Sequence, residues 1–142
     1  MTDCVFCKIV AGQIPSTRVY EDDDVLAFMD IGQVNPGHVL VAAKRHAPDV
    51  YALEDAQAAA IARAQVRIAR AIRDAFQPAG LSVYQANGKP AGQTVFHYHV
   101  HLVPRQDGDG MHLTWPVKNP PREHLEECAG RIRERLATPG QG

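Results

Sequence analysis

The chain lacks most of what a secreted, membrane-bound or disordered protein carries. It holds only three cysteines in 142 residues. An odd number argues against a secreted disulfide framework, and in a reducing compartment a Cys-x-x-Cys pair points instead to metal or redox chemistry. No run approaches the roughly 20 apolar residues of a membrane span. The stretch MTDCVFCKIVAGQIPSTRVY at the N-terminus has neither the basic nor the apolar region of a secretion signal. Net charge is only -1, which exerts no general pull toward nucleic acid or a lipid surface. Internal repeats, low-complexity tracts and dividing linkers are also missing. These absences leave the expectation of a cytoplasmic globular protein with no nucleic-acid or membrane partner.

What is present suits one core. Apolar residues make up 45% and charged residues 22%, ordinary globular values, and a chain of this length buries roughly two thirds of its unfolded surface. Two short β-prone runs, Arg18 to Tyr20 and Val25 to Met29, flank the acidic EDDD tract, which suits a hairpin loop. The turn NPG at Asn35 to Gly37 leads into HVLVAAKRH. If that stretch is extended, His38, Leu40, Ala42, Lys44 and His46 share one face and Val39, Val41 and Ala43 the other. Between about Leu53 and Phe76, Ile61, Ile68, Ile72 and Phe76 recur at helical spacing, with Arg63, Arg67, Arg70 and Asp74 on the opposite stripe. With charge so balanced, that arginine stripe reads as a solvated face.

The signals QPAG then stop the helix. LSVYQAN reads as a strand, GKPAGQT as a loop and VFHYHVHLVP as another strand. A second amphipathic helix is expected from about Pro121 to Leu136, with Leu125, Cys128, Ala129, Ile132 and Leu136 on one side and Cys128 in the core. The fold class is therefore α+β: about five antiparallel strands, a long helix inserted between strands 3 and 4, a C-terminal helix, and the helices on one face of the sheet.

Alternation along VFHYHVHLVP would put His97, His99 and His101 on one face and Phe96, Tyr98, Val100 and Leu102 on the other. Three imidazoles about 7 Å apart on one strand face are costly without a shared task. Two tasks are open. His-x-His on a strand offers two nitrogens to one metal ion. Alternatively, one imidazole is a nucleophile or general base that its neighbours orient. The loop before the strand favours the second. Gly88 and Gly92, the amides of Asn87 and Gln93 and the hydroxyl of Thr94 could cradle a phosphate, which a pure metal site would not need.

HYHVHLV resembles the His-x-His-x-His-x-x signature of the histidine triad (HIT) family of nucleotide hydrolases and transferases. CVFCKIVAGQIPS, VYEDDDVLAFMDI, NPGHVLVAAKRH and ANGKPAGQTVFH resemble further family segments, in the same order, so the resemblance covers about residues 4 to 105. It implies one HIT-like domain over residues 1–142, with 1–105 as the family core and 106–142 as a C-terminal extension in which MHLTWPVKNP and the helix after it help set substrate choice, and in which Trp115 either reaches a partner's active site or caps the core.

The resemblance also implies roles. His99 attacks the α-phosphorus of an adenosine phosphoramidate, a dinucleoside polyphosphate or a related adenylate to form a nucleotidyl-histidine that water cleaves. The carbonyl of His97 fixes its tautomer. His101 and His38 contact the phosphate or the nucleophile's surroundings, Gln93, Thr94 and Gly92 belong to the phosphate loop, and Asn87 lines the pocket. Asp30 takes the ribose hydroxyls, and Phe6, Ile9, Phe28 and Ile31 form the nucleoside pocket.

Alone, CVFC at Cys4 to Cys7 has only half of a zinc pattern. Members of the bacterial branch bind structural zinc through such a pair and two distant histidines, which here match His46 and His97. The resemblance further implies a homodimer whose sheets join edge to edge. The competing reading is a zinc-containing nucleotide-binding or sensing module without turnover.

Overall fold

A computed structural model describes residues 3–138. The chain divides into two compact units, Met1–Met111 and His112–Gly142. The first holds helix α1 (Val5–Val10), strands β1 (Arg18–Glu21), β2 (Val25–Met29) and β3 (Val39–Ala43), helix α2 (Asp55–Phe76), and strands β4 (Gly80–Tyr84) and β5 (His99–Arg105). The strands form one sheet in the order β1-β2-β3-β5-β4, and every neighbouring pair is antiparallel. Five strands with a long helix between the third and fourth are the expected α+β architecture. Among the described residues no helix is long and apolar enough to cross a membrane.

Both faces of the central strands are covered, which is why β2 and β3 read as continuous apolar runs rather than as alternating ones. On one face Val25, Ala27, Val39, Val41, Val100 and Leu102 pack with Ala60, Ile61, Ala64, Ile68 and Ile72 of α2. On the other, Leu26, Phe28, Leu40 and Ala42 pack with Phe6 and Ile9 of α1. The expectation of helices on a single face is thereby corrected. Helix α1, six residues long, is too short to show a periodicity, although Phe6 and Ile9 lie three apart as one buried face requires.

Helix α2 follows its sequence pattern closely. Its start is closed by the Glu54 backbone N–H donating to Gln57 Oε1 at 3.1 Å, and Gln57 Nε2 in turn donates to the Arg45 carbonyl. Arg63, Arg67 and Arg70 are exposed, as a solvated stripe should be, and Arg67 lies 5.6 Å over the Tyr20 ring. Phe76, expected on the buried stripe, is half exposed. The helix ends on Gln77 in the left-handed conformation, φ 49°, one residue before Pro78.

Strand β5 is shorter than VFHYHVHLVP suggests. It begins at His99, and residues 95–97 are bent. The Tyr98 carbonyl still accepts from the Ala43 N–H in the register of β3, but the Tyr98 N–H turns to the Ala47 carbonyl at 2.7 Å, and the ladder ends there. Phe96, assigned by alternation to the core face, is consequently exposed at 51%.

The second unit contains helix α3 (Arg122–Leu136), the expected C-terminal helix. None of its residues is buried, and Leu125, Ile132 and Leu136 are exposed. Cys128, expected in the core, is half-buried with its thiol 3.6 Å from His124 Nε2. The pattern is amphipathic, but no apolar face of the helix is closed. Trp115, before it, is also exposed.

Candidate active site and metal-ligand cluster

Antiparallel pairing of β3 with β5 sets His101 opposite Leu40 and His99 opposite Ala42, on the face that α1 covers. The histidines therefore lie between the sheet and the N-terminal helix. The Phe6 ring meets His99 edge-on at 4.9 Å between centroids and His97 at 5.8 Å.

Each imidazole's tautomer follows from a neighbour that can only donate or only accept. His97 is fully buried, and its Nε2 lies against the Ala43 carbonyl. A carbonyl only accepts, so Nε2 carries the proton and Nδ1 presents a lone pair. His99 Nδ1 lies 2.6 Å from the His97 carbonyl, so its proton is on Nδ1 and its Nε2 is the free lone pair. His38 Nδ1 accepts the Val34 backbone N–H at 3.2 Å, and its Nε2 lies 2.9 Å from His101 Nδ1 and 3.3 Å from Asp30 Oδ2. Burial is the main cause holding His38, His99 and His101 below the ordinary histidine range. For His101, with His99 and His38 as further neighbours, the value falls to about 4.

A second cluster forms where His97 turns its lone pair toward the N-terminus. Cys4 is the N-cap of α1 and Cys7 follows one helical turn later, so both thiols project the same way. Cys4 Sγ lies 3.3 Å and Cys7 Sγ 3.5 Å from His97 Nδ1; His46 Nδ1 lies 3.4 Å from Cys7 Sγ and 3.2 Å from His97 Nδ1. All four ligand atoms fall within 4.8 Å of one another. Zinc bonds of about 2.0–2.1 Å to nitrogen and 2.3 Å to sulfur at tetrahedral angles would separate N from N by about 3.35 Å and N from S by about 3.6 Å. The observed spacings fit such an ion closely. The Ala43 carbonyl on His97 Nε2 also supplies the second hydrogen bond that metal-ligating histidines usually have.

The other candidate residues divide into free and committed groups. Thr94 and Gly92 are exposed on the loop preceding the histidines. Gly92 has φ +97°, and a Cβ there would stand 2.8 Å from the Tyr84 hydroxyl. Gln93 is buried and its amide is spent on the loop itself: Oε1 accepts from the Gly88 N–H at 2.7 Å, and Nε2 donates to the carbonyls of Pro48 and Val95. It shapes the loop instead of offering a free donor. Asn87 Oδ1 accepts from the Val50 N–H, which ties this loop to the short turn before α2. Phe6, Ile9 and Phe28 are core residues of the α1 face, whereas Ile31 is fully exposed beside Asp30.

Two features of the site were not anticipated. Gln33, which the sequence does not single out, makes four side-chain hydrogen bonds around His38. Arg105 clamps Asp109 with two hydrogen bonds, at 2.7 and 2.9 Å, and Asp109 with the Pro104 carbonyl holds the Asn35 amide of the turn before His38. Gln33 in a Gly-rich turn carries no pattern, but the acidic Asp109 four residues after Arg105 was visible.

Comparison with known proteins places this arrangement. The family model described as HIT domain matches residues 11–108. The crystal structure of a member of the HIT family of proteins from Bacillus subtilis is 48% identical and superposes with a TM-score of 0.91, covering 96% of this chain and 99% of that one. A zinc-bound histidine triad family protein from Mycobacterium smegmatis is 36% identical with a TM-score of 0.73, covering 94% of this chain and 98% of that one. The adenylylsulfatase HINT3 of Arabidopsis thaliana is 36% identical over 107 residues, 75% of this chain and 54% of that protein. The matched stretch runs from the end of α1 through the whole sheet and contains His38, His46, His97, His99 and His101, and on these grounds the chain belongs to the HIT domain family.

Proposed function

We propose that the protein is a nucleotide hydrolase or transferase whose nucleophile is His99. The observation that carries this reading is the 2.6 Å bond from His99 Nδ1 to the His97 carbonyl, which leaves Nε2 unprotonated and free. In the proposed reaction the Nε2 lone pair attacks the α-phosphorus of an adenosine phosphoramidate or a dinucleoside polyphosphate. The bond to the leaving group breaks, and the leaving group departs with that electron pair and takes up a proton. Water then attacks the same phosphorus and gives up a proton, which balances the one the leaving group took, while the P–N bond breaks, returns its electron pair to Nε2 and releases the nucleotide. His101, His38, Thr94, Gly92 and Asn87 would surround the phosphates, Gln93 would shape their loop, and Asp30, with Phe6, Ile9, Phe28 and Ile31, would hold the nucleoside. The name of the Arabidopsis relative, an adenylylsulfatase, supports chemistry at an adenylate.

Cys4, Cys7, His46 and His97 would hold one structural zinc per chain, which supplies a rigid anchor for the residues leading into β5. The zinc-bound relative supports that assignment. A homodimer would form through β4, an edge strand with Leu81, Val83 and Tyr84 exposed. Light scattering of wild type and Val83→Lys tests it, with a shift from two chains to one expected. Residues 106–142 would complete a single functional unit and adjust the choice of leaving group.

His99→Ala tests the chemistry. Nucleotide binding should persist while turnover falls by on the order of 10⁴-fold or more and the covalent adduct, trapped by rapid acid quench, disappears. Unchanged turnover in the variant would rule out the mechanism. Wild-type protein that binds nucleotide but never turns over a phosphoramidate, a dinucleotide polyphosphate or an adenylyl sulfate would leave the binding module.

A further inference from the structure

Gln33 sits in the loop between β2 and β3 with its side chain in the solvent layer, yet every hydrogen-bonding valence of its amide is used. Nε2 donates to the Asp30 carbonyl and, at 2.7 Å, to the His38 carbonyl; Oε1 accepts from the N–H groups of Gly37 and His38, each at 3.1 Å. A surface glutamine would ordinarily spend those groups on water. Here it staples Asp30, at the start of the loop, to His38, at its end. The Asp30 N–H also donates to the His38 carbonyl at 3.1 Å, so the staple continues the β2–β3 ladder across the loop.

The held loop aims one backbone group at a ring. The Val34 N–H donates to His38 Nδ1, which puts the single proton of neutral His38 on Nε2. That proton points to His101 Nδ1 at 2.9 Å, with Asp30 Oδ2 at 3.3 Å as its second acceptor. His101 must then carry its own proton on Nε2, and among the described residues this N–H has no protein acceptor. Asp30, His38 and His101 also have the spacing of metal ligands. A metal, however, would need a lone pair on His38 Nε2, and the Val34 N–H denies it one. The group therefore forms a directional hydrogen-bond chain.

We propose that Gln33 is a positioning residue: by closing the Asp30–His38 loop it sets the proton of His38, and through it that of His101, on Nε2, so that His101 presents an N–H donor to a substrate phosphate oxygen. The phosphate half of this statement rests on the nucleotide-transfer reading above; the tautomers do not.

The experiment is ¹⁵N–¹H long-range correlation NMR of the histidine rings in ¹⁵N-labelled, metal-replete wild type and Gln33→Ala near pH 7.5, where tautomers are read directly from the ring nitrogen shifts. In wild type His38 and His101 should each show the Nε2–H tautomer alone, and in Gln33→Ala the His101 nitrogens should move toward the averaged shifts of a mixed population. Kinetics on a phosphoramidate should show kcat lowered about 10- to 100-fold with KM changed less than threefold, as misplacement of a transition-state donor predicts. Gln33→Glu, which keeps the acceptors but sets an oxygen against two carbonyls, should behave the same way if Gln33→Ala does not fold. His101 as Nδ1–H in wild type, unchanged tautomers in both variants, or a second metal ion bound at Asp30, His38 and His101 would each overturn the proposal. Shifted tautomers in a protein that proves to have no turnover would uphold the positioning role and remove only the enzymatic reading.

Discussion

The backbone carbonyl of His97 accepts the Nδ1–H of His99 at 2.6 Å, while the side chain of the same His97 faces Cys4 and Cys7 at 3.3 and 3.5 Å. One residue thus joins the metal-ligand cluster to the free imidazole nitrogen. Whatever fixes the His97 ring also fixes the carbonyl that sets the His99 tautomer.

Removal of the thiols should show that linkage. Cys4→Ser with Cys7→Ser is expected to lower bound zinc from about one ion per chain to near zero by elemental analysis. If the site contributes about 3 kcal/mol, at roughly 3 °C per kcal/mol for a chain of this size, Tm should fall by about 10 °C in calorimetry. Full zinc content in the double variant would remove the four-ligand assignment.

Acid should weaken the fold through the His38–His101 pair. Burial lowers both pKa values, that of His101 to about 4, from an unfolded value of 6.5. Between those limits the unfolded chain binds protons that the folded chain refuses, so stability rises with pH across the window and this contribution is complete above about pH 6.5. The urea midpoint of wild type should decline from pH 7 to 4.5, and more steeply than that of His101→Gln. Parallel curves would show that His101 does not titrate as its surroundings demand.

Gly92 is constrained twice, by φ +97° and by the Tyr84 hydroxyl 2.8 Å from where a Cβ would stand. Gly92→Ala should cost about 1–3 kcal/mol in urea unfolding, the range for a residue forced into a sparsely populated backbone region. In a Tyr84→Phe background the cost should shrink, because the hydroxyl is gone while the backbone strain remains. Equal costs in both backgrounds would mean that the backbone strain alone, not the hydroxyl, limits the site.

The two faces of the sheet should separate stability from chemistry. Ile68→Ala, on the α2 face, is expected to cost about 2–5 kcal/mol and to leave kcat within a factor of two at a temperature where the variant is folded. Phe6→Ala, on the α1 face, should cost a similar amount and also lower kcat, because its ring packs edge-on against His99. Stability assays and kinetics on the same two preparations test this; an equal loss of kcat in both would contradict the division of faces.

How much of this was legible in the sequence varied with distance along the chain. Periodicity marked α2, β2 and β3 to within a few residues, because amphipathic stripes and apolar runs are local consequences of which side chains must leave water. The order of motifs around His97, His99 and His101 carried the family, and the family carried the candidate ligands. Local pattern could not show that β5 starts at His99, since the Tyr98 N–H turns to the Ala47 carbonyl, more than 50 residues away, and ends the ladder there. Nor could it show that Gln93 and Gln33 spend their amides on backbone groups: a glutamine's partners are set by which loops meet it. The sequence by itself determined the inventory of imidazoles, thiols and apolar faces. Only tertiary structure decided which nitrogen of His97 and of His101 carries the proton, because that depends on the Ala43 carbonyl and the His38 ring, each brought from more than 50 residues away.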